Sequence, residues 1–139
     1  MTEIIIEQPI IHLRNDRISY CIQILPDGTV MHLYFGKRLE RVNPLPLMRH
    51  SEVRRDGGYD ILGGALENTP QEYPSFGMGD RRPGACTVRS QQGSRSLVLR
   101  YQSAEVLEGK PRLSGLPASF GDSCKTLNLN ARDELLGLV

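Results

Sequence analysis

ISYCIQILPDGTVMHLYF, residues 18–35, decides the fold. Its first half alternates, with Ile18, Tyr20, Ile22 and Ile24 on one side of an extended chain. A period of two is the mark of a β-strand with one face buried. Pro26-Asp27-Gly28 then interrupts the run. Proline presets one backbone angle, and glycine accepts the left-handed one, so this is a turn. Thr29–Phe35 follows as a second β-rich run, and the whole stretch is predicted to be an antiparallel hairpin. Tyr20, Tyr34 and, further on, Tyr101 are expected as core or cross-strand partners, and His32 as a hydrogen-bonded sheet histidine.

Outward from this hairpin the pattern repeats. Residues 3–6 and 10–14 are short β-like pieces separated by Pro9. Cys86–Arg89, Arg95–Gln102, Ala104–Glu108 and Lys125–Ala131 also read as strands. Gln92-Gly93 marks a turn, and Leu97, Leu99 and Tyr101 share one side. Glu134–Val139 begins a further apolar segment, on which the sequence stops; this predicts a strand cut from a longer polypeptide, with an edge prone to association. Residues 37–84 hold no sustained period and carry Gly57-Gly58 and Gly63-Gly64, so they form a long excursion. The expected class is all-β, an antiparallel β-sandwich, within a single domain over 1–139.

Composition narrows the function. Seventeen basic and sixteen acidic side chains nearly cancel, which gives no electrostatic case for nucleic acid or an anionic membrane. The apolar runs are too short to span a bilayer as a helix. Cys21, Cys86 and Cys124 are odd in number and widely spaced, as are His12, His32 and His50. That argues against a disulfide framework and a metal site, and fits a reducing cytoplasm.

Four blocks then fall in one order: HLYFGKRL (32–39), PQEYPSFGMGDRRPGA (70–85), GSRSLVLRYQSAEVLEGKPRLSGLPASF (93–120) and DELLGLV (133–139). Together they resemble the N-terminal region of family 36 glycoside hydrolases, the bacterial-type α-galactosidases. The resemblance implies the front part of a β-supersandwich, truncated before a catalytic (β/α)₈ barrel. It implies an enzyme that releases terminal α-galactose from oligosaccharides such as melibiose or raffinose with retention, using two aspartates and no cofactor. The family's nucleophile follows a Lys-Trp pair, and this sequence has no tryptophan. The chain alone is therefore expected to be inactive, and no catalytic residue is assigned within it.

The resemblance also implies a role for the excursion. Tyr73, Phe76, Asp80, Arg81 and Arg82 are candidates for a loop that docks on the barrel or on neighbouring subunits, since tyrosine and arginine anchor interfaces. Arg55, Asp56, Tyr59 and Asp60 are candidates for a sugar-proximal loop, with galactoside bound only in the intact enzyme. Self-packed or solvated surface loops are the alternative for both. A stand-alone carbohydrate-binding module and a purely structural oligomerisation domain remain competing functions. The module would want an aromatic platform, and aromatic residues make up only 6% of the chain. The isolated chain is expected to self-associate.

Overall fold

A computed structural model describes residues 2–43, 70–76, 82–115, 121 and 123–137. The described residues form strands, turns and irregular segments, with no helix among them. β1 (Glu3–Glu7), β2 (Ile10–Arg14), β3 (Ile18–Ile24) and β4 (Val30–Lys37) make one antiparallel sheet in chain order. β5 (Arg100–Glu108) and β6 (Lys125–Arg132) make a second antiparallel sheet. The predicted hairpin is present as β3–β4, from Ile18 opposite Lys37 to Ile24 opposite Val30. Its turn closes through Gly28 N to Leu25 O at 2.8 Å and Leu25 N to Thr29 O at 2.9 Å. Gly28 sits at φ +82°, the conformation for which glycine was read.

The hairpin contains a β-bulge. Cys21 stands opposite Tyr34 and Ile22 opposite His32, which leaves Leu33 as the extra residue. The bulge helps bury both faces of the sheet. On one side Cys21, Leu25, Met31 and Leu33 form a core cluster, joined by Ile10, Tyr34, Leu39 and Val42. On the other, Ile11 and Ile22 are buried, and Ile22 shares a cavity wall with Leu127 and Leu129 of β6. The alternation of Ile18, Tyr20, Ile22 and Ile24 therefore marks one of two buried faces. Ile18 lies at its open end, 43% exposed.

Buried polar groups are matched to one another. Ser19 Oγ accepts from Leu39 N at 2.9 Å and meets His12 Nε2 at 2.8 Å. The hydroxyl proton is thus free to go to the ring, which suits a neutral imidazole. Burial, reinforced by the Arg14 charge, holds the His12 pKa below its ordinary value.

The β3–β4 turn also clasps the second sheet. Arg100 Nη1 lies 2.8 Å from Asp27 Oδ2 and donates to Thr29 Oγ1 at 2.6 Å. Tyr101 N donates to Gly28 O at 2.8 Å. Gln8 Nε2 adds a bond to the Tyr101 hydroxyl at 3.1 Å.

Three strand expectations need correction. Arg95–Gln102 and Ala104–Glu108 are not separate strands: β5 is one strand, Arg100–Glu108, with a register shift between Tyr101 and Ser103. Residues 94–99 and 86–89 lie outside any ladder. Leu97 N bonds Phe76 O at 2.7 Å and Val98 N bonds a side-chain carboxylate, so these two amides are satisfied without a paired strand. Residues 134–137 form a turn rather than a strand, held by Asp133. Residues 138 and 139 fall outside the described set, as do 44–69 and 77–81 of the excursion.

Candidate docking surface

Residues 70–76 form a strap between the two sheets. At one end it adds to the open edge of β4. His32 N donates to Pro70 O at 2.6 Å, Glu72 N donates to Val30 O at 3.0 Å, and Gln71 bridges Met31. Proline cannot donate to a ladder, but its carbonyl can accept, so Pro70 is compatible with this edge. At the other end Phe76 O takes the Leu97 N–H, and Pro74 O takes the Ala85 N–H at 2.8 Å.

Glu72 locks the strap in place. Its Oε1 accepts a hydrogen bond from the Tyr20 hydroxyl and lies 3.0 Å from His32 Nδ1. The two rings are tilted neighbours, 5.2 Å between centroids. Burial, and then the Glu72 carboxylate, push the Tyr20 phenol well above its ordinary pKa. Tyr20 therefore remains a donor, and Glu72 its acceptor.

With its backbone fixed in this way, the strap presents Tyr73 and Phe76, 58% and 60% exposed. Two large aromatics this open bury less than half of their surface within the described residues. Tyr73 also overhangs two clefts between the sheets, of about 630 and 490 Å³. Arg82 is half-buried and engaged in contacts of its own. Asp80 and Arg81 lie outside the described residues, as do Arg55, Asp56, Tyr59 and Asp60. The structure thus brings Tyr73 and Phe76 onto one strap, with Glu72 as the anchor that the sequence reading did not single out. Among the described residues no three His, Cys, Asp or Glu side chains gather into a metal-binding group.

Asp133 is the second anchor missed from sequence. It is only 1% exposed, and its carboxylate accepts from Val98 N at 2.6 Å, Leu135 N at 2.8 Å and Leu136 N at 2.9 Å. These bonds, Val98 first, hold its pKa below the ordinary aspartate value. The spacing Asp133-x-Leu135-Leu136-Gly137 was a legible signal, since aspartate caps the turn that follows it.

The described residues thus define an all-β domain of two antiparallel sheets with an aromatic strap at the edge of the first. Residues 28–139 match the family model described as the glycosyl hydrolase family 36 N-terminal domain, and the chain belongs to that family. It is 34% identical to α-galactosidase Mel36A of Lactobacillus acidophilus, over 93% of this chain and 18% of the relative. It is 33% identical to α-galactosidase AgaA of Geobacillus stearothermophilus, over 91% of this chain and 18% of the relative. Among solved structures, the galactosidase domain of the α-galactosidase–sucrose kinase AgaSK superposes with a TM-score of 0.80 at 32% identity, over 96% of this chain and 20% of that one. The crystal structure of AgaA gives 0.79 at 32% identity, over 92% of this chain and 18% of that one. The chain thus spans about a fifth of the length of the relatives it matches.

Proposed function

We propose that this chain is the non-catalytic N-terminal portion of an α-galactosidase, a retaining hydrolase that removes terminal α-galactose from oligosaccharides such as melibiose or raffinose. The observation that carries this reading is the match of nearly the whole chain to one fifth of α-galactosidases. A variant of AgaA has been crystallised with raffinose and another with stachyose, which supports an oligosaccharide substrate for the longer protein. The partner of this domain is then the catalytic barrel, with neighbouring subunits beside it. The strap carrying Tyr73 and Phe76, continued through Asp80, Arg81 and Arg82, is the docking element. Arg55, Asp56, Tyr59 and Asp60 form its sugar-proximal companion. Free thiols at Cys21, Cys86 and Cys124 favour a cytoplasmic setting.

Purified chain incubated with an aryl α-galactoside is expected to show no turnover, and the polypeptide read on through the codons after Val139 is expected to show it. Activity that follows the isolated chain through every purification step overturns the reading. Saturable local NMR shifts on titrating the chain with galactose would instead identify a carbohydrate-binding module.

A further inference from the structure

We propose that the buried His12–Ser19 pair is an acid-sensitive latch that holds Leu39, where the chain leaves β4, against the first sheet, and that mild acid frees residues 38–42 while the strap at 70–72 stays bound. The latch lies wholly within this chain and is independent of the functional reading above.

His12 stands on β2 between Ile5 of β1 and Cys21 of β3, and is only 5% exposed. Its Nε2 meets Ser19 Oγ at 2.8 Å, and the same oxygen, on a fully buried residue, accepts from Leu39 N at 2.9 Å. Leu39 lies beyond the end of β4 and outside any ladder. With Val42 it packs on the core cluster around Cys21, so these two side chains cover the face that His12, Ser19 and Cys21 share.

The arrangement suits one state of the ring. A neutral imidazole takes the Ser19 proton at Nε2 and leaves the hydroxyl oxygen to Leu39. A protonated ring makes Nε2 a donor. Two N–H groups then converge on one hydroxyl, whose own proton is displaced, and a positive charge is left in a buried site. The charged groups around it are Glu3 on β1, Arg14 on β2, and Arg38 and Glu40 just past β4. Two cations oppose two anions, and burial outweighs each of them, which holds the ring's pKa below its ordinary value. Release of Leu39 uncovers the ring to water, where it accepts a proton more readily. The latch is therefore complete above the ordinary histidine value near 6.5 and weakens as pH falls from there toward the lower folded value.

His32 answers a proton in the opposite sense. Its Nδ1 lies 3.0 Å from Glu72 Oε1 on the strap. The groups that face it are this carboxylate and Tyr20 of β3, whose phenol stays protonated. A proton on the His32 ring turns its contact with Glu72 into an ion pair and draws the strap in.

Amide hydrogen exchange in the 139-residue chain, read by NMR and corrected for intrinsic rates, separates the two attachments. A range from about pH 7.5 to about pH 5 stays above the ordinary carboxylate values near 4. Protection at Leu39 N is expected to fall by about threefold or more, while protection at His32 N and Glu72 N holds or rises. His12→Gln keeps an oxygen for the Ser19 proton and cannot be charged, so Leu39 protection should be flat over the range. Ser19→Ala removes the shared oxygen, and Leu39 should be poorly protected throughout. The wild-type ring gives a reading that needs no variant. Its C–H resonances should titrate with a midpoint below the ordinary histidine value, and the loss of Leu39 protection should fall between that value and the midpoint. Leu39 protection that is constant over the range, or that falls equally in H12Q, overturns the latch. So does a His12 midpoint at or above the ordinary value, or strap amides that open together with Leu39.

Discussion

Asp133 shows how much one side chain can hold. Its carboxylate ties the segment before β5, through Val98, to the turn after β6, through Leu135 and Leu136. Hydrogen bonds to a charged acceptor each contribute about 1.5–3 kcal/mol, and losing the acceptor strands three N–H groups at once. Asp133→Ala should therefore destabilise by about 3 kcal/mol or more in urea unfolding at neutral pH. Because the folded pKa is depressed, the contribution is present above the ordinary aspartate value near 4 and lost as pH falls through the lower folded value. The gap between wild type and Asp133→Asn should accordingly close in acid, below about pH 4. A gap that stays constant from pH 7 to pH 3 would show that the charge is irrelevant. Gly28 makes a second test at this scale. A Cβ there would lie 3.2 Å from Arg100 Cβ, on a backbone at φ +82°. Gly28→Ala should cost about 1–2 kcal/mol and loosen the clasp between the sheets, seen as faster amide exchange at Tyr101.

At the scale of elements, local patterns were legible and long-range partners were not. The β3–β4 hairpin could be read because its alternation and its Pro-Asp-Gly turn lie within one window. The turn at 134–137 was misread as a strand because its leucines carry no information about a cap that precedes them. Residues 86–89 and 95–99 alternate as strands do, yet alternation reports which face a side chain takes and not whether a neighbour is hydrogen-bonded. Glu72 was invisible as an anchor because Tyr20 is 52 residues away and His32 is 40. Its loss should be felt along the strap. Glu72→Ala leaves the Tyr20 hydroxyl and His32 without their acceptor, and since both are only part-buried the cost should be about 1 kcal/mol each. Hydrogen exchange at the amides of Glu72 and His32, which bond Val30 O and Pro70 O, should accelerate well before exchange in β3. Equal acceleration throughout the β1–β4 sheet would show that Glu72 supports the whole sheet and not the strap.

At the scale of the whole molecule, the described residues form two unequal sheets joined by a turn clasp, with a strap along the edge of the first, and the strap is where fold and proposed function meet. Glu72 and the backbone bonds fix where the strap lies; Tyr73 and Phe76 lie on it largely outside the chain's own core. Those separate duties can be measured separately. In the 139-residue chain, replacing Tyr73 and Phe76 together by alanine removes side chains that are more than half exposed, so the unfolding free energy should change by no more than about 0.5 kcal/mol. In the proposed longer α-galactosidase the same rings are expected to be covered, and a desolvated aromatic anchor can cost about 2 kcal/mol or more when truncated. The double variant should then show weaker assembly on sedimentation and lower kcat at unchanged chain stability, since the catalytic groups are untouched and only their support is disturbed. Glu72→Gln supplies the control: it keeps an acceptor oxygen but drops the charge, so it should produce a milder form of the same defect. Destabilisation of the short chain, with assembly and activity of the long one intact, would make the strap a self-packed loop and end the docking interpretation.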